Sequence, residues 1–223
     1  MRPLVPAVAI AIVAFAAPAT ASAATLKVEP ASPCYREEQT VFLTAEGYTP
    51  NGFVDFIRDG KVIERLQADA SGAISGNLTL PGLVSGRRNL TYVAQDVSDP
   101  ALRAEVTLLT TAIDVRVAPE SGAPNRLLTI NGRGFFGRNQ VVFAHVVRMR
   151  RGADAAARRA RTIRIGRVKG ACRLIRSERR LFRRDPAPGR YRVQFDLFRE
   201  YKPRRSVEYD NLFVRILSPA SER

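Results

Sequence analysis

From residue 24 onward the chain is a succession of short alternating apolar runs, each closed by glycine, proline or aspartate. Period-two alternation puts every second side chain on one face, which is the pattern of a half-buried strand. Residues 25–28 alternate and are broken at Pro30, and residues 40–44 run up to Gly47. Residues 53–57 lead into Arg58-Asp59-Gly60-Lys61, and residues 62–66 continue beyond it. An Asp-Gly pair between two apolar runs supplies the positive φ angles of a tight hairpin turn. Further runs lie at residues 73–80, closed by Pro81-Gly82, at residues 89–94, before Asp99-Pro100, and at residues 105–109. About seven short strands within about 90 residues predict an all-β sandwich.

The second half follows the same plan. Gly47-Tyr48 and Gly134-Phe135 end strands at corresponding points, an offset of 87 that also matches Val54 with Val141 and Phe56 with Phe143. Later the offset is 103, matching Gly86 with Gly189, Tyr92 with Phe195 and Pro100 with Pro203. The difference of 16 residues reads as an insertion around the Arg/Ala-rich residues 148–164. Two copies predict two domains, at residues 24–112 and 113–217, with residues 218–223 as a tail.

Gly47-Tyr48-Thr49-Pro50 before a strand, the Asp69-x-x-Gly72 turn, and Pro188-Gly189-Arg190-Tyr191-Arg192-Val193 resemble patterns of bacterial extracellular immunoglobulin-like repeat domains. The resemblance covers most of residues 25–217 and implies two tandem immunoglobulin-like β-sandwiches. These motifs mark turns and core strands and no active site. The resemblance implies a spacer, stalk or binding module, and, without the paired cysteines of antibody-type domains, no disulfide within either domain.

Residues 1–23 read as a secretory signal peptide. Arg2 gives a positive start, residues 4–17 are nearly all apolar, and Ala21-Ser22-Ala23 is an A-x-A cleavage pattern. The apolar run is shorter than the roughly 20 residues that cross a bilayer, and no later stretch is apolar enough to span one. The expected location is therefore outside the cytoplasm, secreted or in the cell envelope. Cys34 and Cys172 are the only cysteines. In an exported chain they are compatible with one disulfide tying the start of the mature chain to its last third. Two separate free thiols, each a small core residue, is the expectation for positions so far apart in sequence.

Charge divides the chain. Residues 24–112 hold 8 Lys+Arg against 11 Asp+Glu, whereas residues 113–223 hold 27 against 10, a net of +17. Arg148, Arg150, Arg151, Arg158, Arg159, Arg161 and Arg164 form one cluster. Arg173, Arg176, Arg179, Arg180, Arg183 and Arg184 form a second, and Lys202, Arg204 and Arg205 a third. Arginine outnumbers lysine 32 to 4, which codon bias can produce, but such bias leaves net charge unchanged. A surface of this kind pairs with phosphate or carboxylate. The expected partner is an anionic envelope polymer or an acidic protein surface. The alternative is a structural or protein-interaction spacer whose basicity is incidental.

Nucleic acid is a weaker expectation. Tyr191, Phe195, Phe198 and Tyr201 interleave with Arg190, Arg192 and Arg199, but alternation assigns Tyr191, Val193, Phe195 and Leu197 to the core rather than to base stacking. An enzyme is not expected. His145 is the one histidine, placed by alternation on a half-exposed strand face opposite Val142, Ala144 and Val146. No Gly-x-Ser-x-Gly, P-loop or dinucleotide motif occurs, and no His/Cys metal cluster can be assembled. No metal or cofactor is expected.

Overall fold

The computed structural model describes residues 23–149, 160–201 and 210–217. Residues 1–22, which hold nearly all of the expected signal peptide, residues 150–159 at the centre of the expected insertion, residues 202–209 and the tail from residue 218 lie outside the described residues. Every regular element described is a strand.

In the first half, β1 (Thr25–Glu29), β3 (Thr40–Glu46) and β6 (Ile74–Thr79) form one sheet in the order β1-β3-β6. The facing sheet contains β2 (Tyr35–Arg36), β4 (Phe53–Arg58), β5 (Lys61–Gln67), β7 (Arg87–Asp96) and β8 (Arg103–Thr111), in the order β2-β8-β7-β4-β5. The strands form because alternate side chains have a core to enter. Val41, Leu43 and Ala45 of β3 are buried while Thr40, Phe42 and Glu46 are exposed. On β7, Leu90, Tyr92 and Ala94 face inward. The β4–β5 hairpin turns at Asp59 and Gly60, both at positive φ (49° and 79°), with Arg58 opposite Lys61. This is the tight turn that the Asp-Gly pair predicts.

The second half repeats the connectivity. β9 (Asp114–Ala118), β10 (Leu128–Arg133) and β13 (Ile175–Arg179) pair in the order β13-β10-β9. Facing them are β11 (Val141–Arg148), β12 (Arg161–Arg167), β14 (Gly189–Asp196) and β15 (Asp210–Ile216), in the order β12-β11-β14-β15. Strand for strand this is the plan of the first half without its short β2. Each half has its own core: Tyr48, Val54, Phe56, Leu90 and Tyr92 in the first, and Ile130, Phe135, Val142, Ile165, Val193 and Phe195 in the second.

The register of the repeat differs from expectation. Val54 and Phe56 are core residues, but on β11 the core positions are Val142, Ala144 and Val146, while Val141 and Phe143 lie on the opposite face. The offset of 87 is therefore one residue out at this strand. One extra residue precedes β11, and in a period-two element a single step exchanges the two faces.

The junction between the halves is short and packed. β8 ends at Thr111 and β9 begins at Asp114. Glu37 bridges it: one carboxylate oxygen accepts from Ile113 N (3.1 Å) and the other from Leu83 N (2.8 Å). Gly134, at φ +79°, lies so close that a Cβ there would stand 2.3 Å from the Ala112 carbonyl oxygen. Cys34 and Cys172 are joined, with Cα atoms 5.2 Å apart and 138 residues between them in sequence. This corrects the expectation of two free thiols. Sequence distance is no guide to spatial distance: Cys34 precedes Tyr35, which pairs with Thr110 at the end of β8, and the Cys172 carbonyl accepts from Gly134 N, which packs on Ala112, so both cysteines reach the junction. Both sulfurs sit in nearly closed surroundings, Cys34 at 1% and Cys172 at 4% exposure.

Candidate anion-binding face

Of the predicted arginines, Arg150, Arg151, Arg158 and Arg159 lie outside the described residues, as do Lys202, Arg204 and Arg205. The others do not converge on one point. Arg148 ends β11 and donates from its guanidinium to the Pro188 carbonyl, which seats it against the start of β14. Arg161 opens β12 and reaches the Leu181 carbonyl at 3.5 Å. Arg179 closes β13 and folds back, its Nε donating to the Arg164 carbonyl (3.3 Å) and an Nη to its neighbour Glu178 O (2.7 Å). Ser177 Oγ donates to Ile165 O (2.9 Å), so the edges of the two facing sheets are stitched where these arginines emerge. Arg173 stands beside the disulfide in a turn at φ +52°. Arg176 is exposed on β13, and Arg180, Arg183 and Arg184 are exposed in the connection to β14. The result is a band of positive charge along the β12–β13 side. Arg138, Arg167 and Arg199, which stand outside the three arginine clusters of the sequence, line a single cleft instead.

The charge is poorly compensated. Among the described arginines of the second half, only Arg116 and Arg133 meet a carboxylate, and both meet Asp114, at 3.6 and 3.7 Å. In the first half Arg65 pairs with Asp55, Arg88 with Asp59 and Arg103 with Glu105. The Arg65 guanidinium grips Asp55 through two nitrogens, at 2.6 and 2.9 Å, and holds that carboxyl below the usual carboxylate range.

Behind the band lies a buried polar network that alternation alone misplaces. His145 is fully enclosed, 0% exposed, rather than half-exposed. Its Nδ1 is 2.9 Å from Thr162 Oγ1 on β12, and its Nε2 is 3.1 Å from Asp196 Oδ1 and 3.0 Å from the Phe198 carbonyl. The Phe198 carbonyl and the Asp196 carboxylate only accept, so Nε2 carries a proton and donates to them, and the Thr162 hydroxyl engages Nδ1. Gln194 Nε2 donates to the other Asp196 oxygen (2.7 Å). The outer face of β14 is therefore buried at Gln194 and Asp196 as well as the inner face at Tyr191, Val193 and Phe195. The chain from Leu197 to Tyr201 covers it: the Tyr201 ring lies 5.6 Å from the imidazole and takes the Arg192 guanidinium at 5.8 Å.

Asp196 has a counterpart in the first half. Asp96, at the end of β7, accepts from Ser98 N (2.8 Å), Ser98 Oγ (2.6 Å), Asp99 N (3.0 Å) and Thr49 N (2.8 Å). Burial pushes this carboxyl up, but the Ser98 hydroxyl and the amides of Thr49 and Asp99 outweigh it and hold it well below the carboxylate range. Burial, followed by the Asp96 charge, pushes the neighbouring Tyr48 phenol up to about 12. In both halves the aspartate accepts from the amide two residues on, fixing the turn after the strand.

Among the described residues no three His, Cys, Asp or Glu side chains come together as metal ligands, and no helix is long and apolar enough to cross a membrane.

No family model and no curated protein matches the chain. Among solved structures it is similar to the ligand-binding domain of human OSCAR, at 14% identity over 89% of this chain and 100% of that one, with a TM-score of 0.31. It is also similar to a Corynebacterium diphtheriae protein described as membrane anchored, at 11% identity over 88% of this chain and 57% of that one, with a TM-score of 0.35. A Salmonella alpha-2-macroglobulin mutant is 14% identical over 89% of this chain and 15% of its own, with a TM-score of 0.30. At such scores none of the three bears on what this chain binds.

Proposed function

We propose that the chain is an exported, non-catalytic module of two tandem immunoglobulin-like β-sandwiches, residues 24–112 and 113–217, whose basic second domain holds an anionic envelope polymer. The order β8-β7-β4-β5 supports the fold assignment, because it matches the G-F-C-C′ order of immunoglobulin-type sheets, with β1-β3-β6 opposite as A-B-E. The leader-like first 23 residues and the Cys34–Cys172 disulfide support export, since disulfides persist in oxidising compartments. A non-catalytic role is supported by His145, whose two ring nitrogens are both engaged in a closed interior.

The observation that carries the reading is the uncompensated arginine band. Exposed guanidinium groups without carboxylate partners retain their full attraction for polyanions. The test is retention of the full protein on immobilised anionic polymer across a salt series. Screening shortens from about 10 Å at 0.1 M to roughly 4 Å at 0.5 M salt, so retention should fade across that range. Replacing Arg180, Arg183 and Arg184 together by Gln should release the protein at lower salt. Retention indifferent to salt would overturn the mechanism.

A second reading, a spacer with a protein partner, is favoured by one feature. β5 is an unpaired sheet edge with Val62 57% and Ile63 37% exposed, although Lys61, Glu64 and Arg65 on the same strand discourage promiscuous pairing. Binding of a partner protein that survives high salt and is lost on Val62→Lys would support it.

A further inference from the structure

At one end of the β12-β11-β14-β15 sheet a cleft of about 470 Å³ opens among three separate stretches of chain. Arg138 comes from the β10–β11 connection, Arg167 is the last residue of β12, and Arg199 lies in the connection after β14. The apolar wall includes Phe143 and Leu197. Phe143 is available for it because Val142 and Ala144 occupy the core, which leaves Phe143 on the other face of β11.

The cleft is built on pinned backbone. Asn139, beside Arg138, donates from Nδ2 to the Leu197 carbonyl (3.3 Å), tying the β10–β11 connection to the end of β14. Asp196 Oδ1 accepts from Phe198 N (2.8 Å), and the buried His145 Nε2 meets both Asp196 and the Phe198 carbonyl. The turn that delivers Arg199 is thus fastened to the middle of β11. Among the described residues, none of the three guanidinium groups meets a carboxylate. A second cleft among the described residues, on the first half, differs: it carries Asp59 and Glu105 beside Arg103, and Arg103 is already paired with Glu105.

Three like charges around one concavity repel one another and focus a positive potential into it, an arrangement that an anion relieves. Arginine's planar fork matches phosphate oxygens two at a time. A phosphate monoester carries about −1.5 to −2 charges, within what three guanidinium groups balance. The space is of small-molecule size, within the range of roughly 300–1,000 Å³ typical of ligand pockets and well beyond one bare phosphate. The wall of Phe143 and Leu197 offers contact to C–H groups, and the Asn139 and Gln140 amides offer hydrogen bonds to hydroxyls.

We infer that this cleft binds a small phosphorylated sugar or polyol, its phosphate on Arg138, Arg167 and Arg199 and its carbon skeleton against Phe143 and Leu197. The inference is separate from polymer retention by the arginine band, and the two fail separately.

The experiment is calorimetric titration of the full protein with glucose 6-phosphate, glucose, glucuronate and inorganic phosphate at fixed salt. Glucose 6-phosphate should bind at least about tenfold more tightly than inorganic phosphate or glucuronate, and glucose should not bind. Arg138→Gln and Arg199→Gln should each weaken binding about tenfold with the melting temperature unchanged. Arg215→Gln removes the same charge outside both the cleft and the arginine band and should leave the affinity within about twofold. Equal losses for Arg215→Gln and the cleft variants would overturn the site, as would equal affinity for inorganic phosphate and glucose 6-phosphate, or no heat up to about 10 mM ligand. Each of those results is compatible with continued salt-sensitive retention on polymer.

Discussion

Replacing Cys34 and Cys172 together by Ala removes a cross-link that closes a loop of 138 residues. Chain-entropy reasoning gives about 5 kcal/mol for so long a loop, an upper figure because it assumes the whole loop is released at once. Here each half has its own core, so the first to unfold frees only the chain between its cysteine and the junction near residue 112. Because the dependence is logarithmic, halving the loop lowers the figure by only about 0.6 kcal/mol. Measured losses for native disulfides run at about 2–5 kcal/mol, and we expect ~3 kcal/mol. For a unit of about 100 residues, each kcal/mol shifts the midpoint by roughly 4–8 °C, so the Tm should fall by at least about 10 °C. Differential scanning calorimetry reads this directly. Reduced and alkylated wild type separates the cross-link from the lost packing of two buried sulfurs and should melt with the double variant. Peptide mapping that shows Cys34 joined to Cys172, together with a Tm shared by wild type and variant, would refute the reasoning. Two free thiols in the mapped wild type would refute the pairing itself.

Two further outcomes follow from the geometry. Asp96 is held below its unfolded pKa, so its contribution is complete above about pH 4 and fades as pH falls toward the folded value. Asp96→Asn places an amide against donors that need an acceptor, and should lose about 2 kcal/mol at pH 7 and flatten the acid side of a stability profile measured by urea unfolding. An undiminished acid slope would show that other carboxylates govern it. Glycines at 60 and 134 share φ +79° but not their surroundings: a Cβ at Gly60 meets nothing within 4 Å, and one at Gly134 meets the Ala112 carbonyl at 2.3 Å. Gly60→Ala should cost about 1 kcal/mol from backbone conformation alone, and Gly134→Ala at least twice that, measured by urea midpoints.

Much of the fold was legible because its causes are local. The alternation of Leu90, Tyr92 and Ala94, the positive φ angles that Asp59-Gly60 accommodates, and the Gly-aromatic repeat are all written in neighbouring residues, and the strands occur where those signals stand. What escaped depends on a third dimension. Alternation gave Val142, Ala144 and Val146 one face of β11, and they are buried, but the repeat offset that pairs Val54 with Val141 is one residue out because loop length, invisible to periodicity, sets the entry to a strand. His145 was placed at a half-wet surface because alternation tells which face a residue takes and not what covers that face; here the chain from Leu197 to Tyr201 does. The two-residue β2 is too short to carry a pattern and exists through its parallel pairing with β8. Of the predicted basic surface, the charge asymmetry was plain from composition. The grouping of Arg138, Arg167 and Arg199 was not, since three residues spread over 62 positions meet only when two connections and a strand end fold to one place.

The disulfide also sets how the molecule carries load. A pull applied at residue 23 and at residue 217 runs along β1 to Cys34, crosses to Cys172 and leaves through the strands beyond it. The chain between the two cysteines is out of the line of tension. At about 3.3–3.6 Å per extended residue, the bond keeps roughly 450–500 Å of contour length from paying out. Under tension only the stretches outside the cysteines can lengthen, so an oxidised molecule behaves as a short, stiff tether and a reduced one as a long, compliant one.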